Sequence, residues 1–184
     1  MKNPFRIGTT IYLRPLERED APRIQAWIND PEVTATLAFY RPMNLQAEEE
    51  FIRHVNEGEH DMVLGIAVKE TDALIGVTGL HRIDFKNRHT SFGISIGEKS
   101  EWGKGYGTEA TSLMVQYAFE TLNLHRVWLQ VYETNERGRR CYAKVGFQQE
   151  GVLRQERYHA GRYWDAILMG ILREEWDVAQ PRRA

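Results

Sequence analysis

The sequence predicts an α/β fold in the broad sense, α+β, with a mixed sheet flanked by helices. Three observations predict it. Segments with strand character interleave with segments of 3.6-residue apolar spacing, in the order strand, two helices, three strands, helix, strand, helix, two strands. No repeat, low-complexity tract or Pro/Gly/Ser-rich linker interrupts the 184 residues, so one domain over 1-184 is expected. With 42% hydrophobic and 27% charged residues, the chain has the balance of a globular protein that buries a core.

The elements follow in order. Residues 10–16 read as a first strand, closed by Pro15. Asp20 serves as N-cap or early-turn acid for a helix through Trp27, with Ala21, Ile24, Trp27 and Ile28 on one face and Pro31 as its end. A second helix spans residues 45–56, with Phe51, Ile52 and Val55 inward and Gly58 beyond its end. Its Glu48-Glu49-Glu50 run reads as a solvated face. Strands are predicted over 62–69, 74–82 and 90–97, punctuated by Gly76, Gly79 and Asn87-Arg88. Helical spacing resumes over 108–122, where Ala110, Leu113, Met114, Tyr117 and Ala118 form a stripe. Residues 126–132 form a buried-type strand, and 135–145 a short helix ended by Gly146. Two last strands, 147–158 and 163–172, are joined by a turn over 159–162.

Composition excludes several classes. A formal charge of -2, from 24 basic and 26 acidic side chains, provides no global field for nucleic acid or an anionic membrane. One cysteine, Cys141, allows no internal disulfide, and together with scattered histidines gives no metal-ligand spacing, so no metal is expected. The first residues lack the apolar stretch of a signal peptide, and no run approaches the ~18 apolar residues of a membrane helix. The expectation is a cytoplasmic protein with neither a nucleic-acid nor a membrane partner.

Trp102-Gly103-Lys104-Gly105-Tyr106-Gly107-Thr108 lies between a strand and a strongly patterned helix. Glycines let the backbone approach a ligand, free N–H groups at a helix start attract an anion, and Lys104 adds a charge for phosphate. A phosphate-binding Walker loop needs another spacing, and a dinucleotide fingerprint belongs near the first strand, so both fit badly. The segment instead resembles the GNAT superfamily of N-acetyltransferases, whose Q/R-x-x-G-x-G/A segment holds the coenzyme A pyrophosphate. Gly105 and Gly107 match its small positions, with Trp102 where Gln or Arg is usual. Asn135-Glu136-Arg137-Gly138-Arg139-Arg140-Cys141-Tyr142-Ala143-Lys144-Val145-Gly146-Phe147 is similar to the family's N-x-x-A-x-x-x-Y-x-K-x-G-F, with Gly138 for alanine. The opening Leu13-Arg14-Pro15-Leu16-Glu17-Arg18-Glu19-Asp20 resembles the branch holding ribosomal-protein N-terminal acetyltransferases and spermidine acetyltransferases.

The resemblance implies a mostly antiparallel sheet of about seven strands, splayed in the middle and flanked by about four helices. It also implies transfer of acetyl from acetyl-coenzyme A, as co-substrate, to a primary amine. Ile94, Ser95 and Ile96 then meet the pantetheine arm, and residues 102–108 meet the pyrophosphate. Asn135 caps its helix and touches pantetheine, Arg139 reaches a phosphate, and Tyr142 protonates the leaving thiolate. Ser91 falls where the branch often carries a glutamate base, so a water held by Ser91 is expected to relay the proton. His81 and His89 lie nearby as alternatives. A weak base suits an amine of low pKa, which favours a protein N-terminus over a polyamine, amino sugar or aminoglycoside. A coenzyme-binding sensor without turnover is the reading from another class. Trp27, Phe39, Tyr40 and Met43 are candidates for the acceptor pocket. Tyr158, Tyr163, Trp164 and Asp165, in the last hairpin, border that pocket or a homodimer contact.

Overall fold

The computed structural model describes residues 1–179. One sheet of eight strands forms the middle layer: β1 (Arg6–Ile7), β2 (Ile11–Pro15), β3 (Met62–Val68), β4 (Leu74–Asp84), β5 (His89–Ile96), β6 (Arg126–Tyr132), β7 (Gln148–His159) and β8 (Arg162–Leu172). Their order across the sheet is β1-β2-β3-β4-β5-β6-β8-β7. Every neighbouring pair is antiparallel except β5 and β6. One face carries α1 (Ala21–Ile28), α2 (Pro31–Thr34) and α3 (Leu45–Glu57); the other carries α4 (Tyr106–Gln116) and α5 (Glu136–Val145). A last helix, α6 (Arg173–Ala179), follows β8.

Alternation along the strands builds two cores. Ile11, Leu13, Ile66, Leu80 and Phe92 meet Ala110 and Met114 of α4 and Ala118 in the turn that continues it. On the opposite face Leu16, Val63 and Leu74 meet Ile24 of α1 with Ile52 and Val55 of α3. Asp20 does more than start a helix. Its carboxylate takes two bonds from Arg14, at 2.7 and 2.8 Å, and one from the Glu17 N–H, tying α1 to β2. Burial opposes its ionisation, yet Arg14 and that N–H outweigh it and hold its carboxyl below the usual range. At the start of α4, Glu109 accepts from the Thr9 and Thr10 N–H groups, fixing the helix against the β1–β2 turn.

Several expectations change. Pro31 opens α2 instead of merely ending α1, because a proline at the first helical position sacrifices no bond. The two-residue β1 and the terminal α6 were too short or too weakly patterned to stand out. The predicted helix over 108–122 begins at Tyr106 and widens in its last turn, where the Leu122 N–H reaches the Tyr117 carbonyl. Glu48 departs most from expectation. It lies one turn before Ile52 on the inward face of α3, is wholly buried, and neither oxygen has a partner among the described residues. Only Glu49 and Glu50 fit the solvated reading.

Burial alone raises the Glu48 carboxyl from 4.5 to about 7. Because the folded value lies above the unfolded one, its contribution is intact below pH 4.5 and is lost as pH rises through about 7. The loss is at most about 3 kcal/mol, at 1.36 kcal/mol per unit. Glu48→Gln should therefore flatten the decline in denaturation midpoint between pH 5 and pH 8, a comparison made by urea titration. A variant with the wild-type slope would contradict this account.

Candidate functional site

The central feature is the parting of β5 from β6. They pair only at His89↔Arg126, Thr90↔Val127 and Ser91↔Trp128. β6 stays paired with β8 to Tyr132, and β5 with β4 to Ile96, so both strands run on as they diverge. The backbone of β5 is thereby left open on one side. The Gly97 N–H donates to the Ile75 carbonyl of β4 at 2.9 Å. By two-residue alternation the Ser95 and Gly93 amides also face β4, while those of Ile94 and Ile96 face the gap.

A cavity of about 390 Å³ fills that gap. Ile94, Ser95 and Ile96 line one wall, Trp102, Gly103, Gly105, Tyr106, Gly107 and Thr108 its end, and Asn135 with Arg137, Arg140, Cys141, Tyr142 and Lys144 of α5 the opposite wall. Val33, Thr36 and Leu37 close it from the other face of the sheet. The cavity thus passes β5 from one face to the other. Gly105 sits at φ +90°, ψ −10°, immediately before α4, a left-handed geometry that turns the chain into the helix. The Thr108 and Glu109 N–H groups bond the Gly105 carbonyl, whereas the first N–H groups of the helix remain free to face an anion.

Trp102 takes an unexpected part. Its indole N–H donates to the Ile96 carbonyl at 2.7 Å, and the Arg137 guanidinium lies over its ring at 4.1 Å from the centroid. The aromatic side chain therefore holds a cation from α5 against the glycine turn. Tyr142 is 7% exposed, its ring packed edge-on against Phe92 at 6.2 Å and tilted against Phe147 at 6.0 Å. Among the described residues its hydroxyl has no protein partner, and burial raises its pKa well above that of a free phenol. It is a protonated donor facing a cavity that water and ligand can reach. Asn135 caps α5, its Oδ1 accepting from the Gly138 N–H at 2.8 Å. The Asn135 amide lies where a side chain at 138 would begin, which accounts for glycine at that position.

Three predicted site residues lie elsewhere. Lys104 is absent from the cavity wall and pairs with Glu101 at 2.9 Å, because it points outward from a turn whose glycines face in. Arg139 follows Arg137 by two helical positions, hence on the far side of α5, and borders a separate groove with Glu136, Ile167 and Met169. The Ser91 hydroxyl is 7% exposed, donates to the His81 carbonyl at 3.1 Å and does not line the cavity. Trp27, Phe39, Tyr40 and Met43, the candidates for an acceptor pocket, do not line this cavity. Trp27 covers Gly97, while Phe39 and Tyr40 are exposed. Val33, Thr36 and Leu37, which do line the cavity, carried no motif or spacing in the sequence that marks them.

Residues 10–148 match the family model described as the acetyltransferase (GNAT) domain. The uncharacterized N-acetyltransferase p20 of Bacillus licheniformis is 32% identical over 89% of this chain and 93% of its own length. The spermidine N(1)-acetyltransferase of Escherichia coli K12 is likewise 32% identical, over 91% of this chain and 88% of its own. Among solved structures, the spermidine N-acetyltransferase of Vibrio cholerae in complex with CoA and spermine superposes with a TM-score of 0.84 at 28% identity, covering 92% of this chain and 99% of that one.

The geometry of the turn distinguishes its glycines. Gly105→Ala should cost about 1–2 kcal/mol, the penalty for a Cβ in the left-handed region. Gly107→Ala should cost little, since its Cβ would meet Cys141 Sγ at an ordinary 3.9 Å. Thermal denaturation of the two variants checks the difference, and equal effects would contradict it.

Proposed function

Because the chain belongs to the acetyltransferase (GNAT) family and uses acetyl-coenzyme A, we propose that it acetylates a primary amine of a small molecule, foremost a polyamine. The observation that carries the reading is the meeting of three features in one cavity. These are an unpaired strand edge, the glycine turn at the start of α4 and the unpartnered Tyr142 hydroxyl. The coenzyme supplies the activated acetyl group; the remaining work falls to the chain.

The outward amides of Ile94 and Ile96 pair with the pantetheine arm as a further strand would, and one of them polarises the thioester carbonyl. The free N–H groups over 103–107 take the pyrophosphate at the positive end of α4, with the Trp102-held Arg137 as the neutralising cation in place of Lys104. Tyr142 then gives its proton to the departing sulfur. A phenol raised by burial is a weak acid, but the thiolate leaves into the same desolvated cavity and is there more basic than in water.

The similarity to two spermidine acetyltransferases supports a small alkyl amine over the protein N-terminus that base strength alone favours. Such an amine has a pKa near ~10.4 and arrives charged at neutral pH, so the site must remove a proton before attack.

Two measurements test the reading. In a coenzyme-release assay across polyamines, amino sugars, aminoglycosides and short peptides, a polyamine should show the highest kcat/KM. A preferred peptide would overturn the acceptor, and no turnover with any amine would overturn the reaction. Tyr142→Phe keeps the ring packing, so its kcat should fall by roughly 10²–10⁴-fold with coenzyme affinity unchanged. Full activity would remove Tyr142 from the chemistry.

A further inference from the structure

Among the described residues, the walls of the cavity supply no unpaired carboxylate and no imidazole: Glu101, the one carboxylate lining it, is paired with Lys104. An acceptor must therefore come from the neighbouring surface. Along β5, the residues on the α1–α3 face are Gly97, covered by Trp27, then Ser95 on the cavity wall, then Gly93. Over Gly93 lies the imidazole of His81.

We propose that His81, oriented by Asp61, is the base that deprotonates the acceptor amine. The proposal rests on the acetyltransferase reading above and names a residue for its missing step.

Four observations place this ring. Its Nε2 lies 2.9 Å from where a Cβ would stand on Gly79 and 3.4 Å from the same point on Gly93, so two facing glycines form its bed. Its Nδ1 is 3.3 Å from Asp61 Oδ1, and a carboxylate only accepts, so Nδ1 donates and Nε2 carries the lone pair. Asp61 is itself fixed by the Arg82 N–H at 3.0 Å. The His81 carbonyl accepts from both the Thr90 and Ser91 hydroxyls, at 2.9 and 3.1 Å. Immediately afterwards the ladder breaks: Arg82 takes φ +51° and the β4–β5 register shifts between His81 and Asp84. A bulge with a left-handed arginine is the kind of local cost that persists where a side chain must be aimed. Ring, carboxylate, carbonyl and bulge all fix one imidazole, one strand step of roughly 7 Å from Ser95. The remaining ionisable groups here are engaged elsewhere: His89 faces Asp84 at 3.7 Å, His60 bonds the Ile83 carbonyl and Arg82 lies over Trp128.

The proton balance closes. The ammonium of the acceptor gives one proton to His81 Nε2, directly or through one water, and the imidazolium pairs with Asp61. The free amine forms the C–N bond to the thioester carbon. The C–S bond then breaks, its electron pair leaving on sulfur, which takes the Tyr142 proton. The second amine proton returns to the Tyr142 oxygen, and His81 releases its own to solvent.

The test uses His81→Gln, Asp61→Asn, and His81→Ala with and without Ser91→Glu, each with acetyl-coenzyme A titrated by calorimetry. Ser91 is the direct cross-strand partner of His81, so a carboxylate there reaches the vacated space. With an alkyl amine at neutral pH, His81→Gln should lower kcat by roughly 10²–10⁴-fold without changing coenzyme affinity. The deficit should shrink with a hydrazine-type acceptor of low pKa, and Ser91→Glu should restore part of the rate lost in His81→Ala. Asp61→Asn should show the same dependence on acceptor pKa to a smaller degree, and it carries the test if the His81 variants do not fold. A loss equal for amines of all pKa values, or undiminished activity, would overturn the assignment. Absence of turnover in the wild-type protein would instead refute the acetyltransferase reading itself.

Discussion

The site depends on a hydrogen-bonding conflict in the middle of the sheet. β5 is held by β4 along its length and β6 by β8, so once these two outer pairings diverge the inner pair can share only three residue pairs. Buried backbone amides must find partners. At this gap the sheet itself offers none, and a cavity takes the place of the absent strand. Everything else in the site is arranged around that deficit. α4 begins at one end of the gap, α5 lies along it, and Trp102 already meets one of the open carbonyls at Ile96. The splay separates two halves of one molecule by function, with Tyr142 on the α4–α5 side and Val33, Thr36 and Leu37 on the other.

A second theme is how cations and carboxylates are allotted. Lys104 belongs to Glu101, Lys99 to Asp30 and Glu32, and Arg14 to Asp20. Arg137, on the cavity wall beside the glycine turn, is held by an aromatic ring and not by a carboxylate. A cation–π partner does not neutralise the guanidinium, so its charge remains available to a phosphate. Trp102 thus fills the position usual for Gln or Arg and delivers the charge by another route.

Much of this was legible in the sequence because it is periodic. The strands over 126–132 and 62–69 and the helix over 45–56 lie within a residue or so of their observed bounds, since their apolar spacing is enforced by two cores. The glycine turn was legible because a left-handed Gly105 and a patterned helix are local facts. What escaped is tertiary. Arg137 and Arg139 look alike in sequence, and the rotation of α5 alone sends one to the cavity and the other to a groove. Glu48 reads as one of three surface acids until α3 is seen to turn it inward. Ser91 stood in the right place along β5, but the nearest carbonyl claimed its hydroxyl. The splay itself was reached through resemblance, because no residue pattern announces where two strands will stop pairing.

The central claim is that the open edge of β5 and the glycine turn together receive the coenzyme. Backbone amide chemical shifts followed by NMR as acetyl-coenzyme A is titrated test it most directly. The account predicts that the largest changes fall on Ile94, Ile96 and residues 103–108, with the Ser95 and Gly97 amides, already bonded to β4, moving less. Changes concentrated instead around Arg139, Ile167 and Met169 would contradict it.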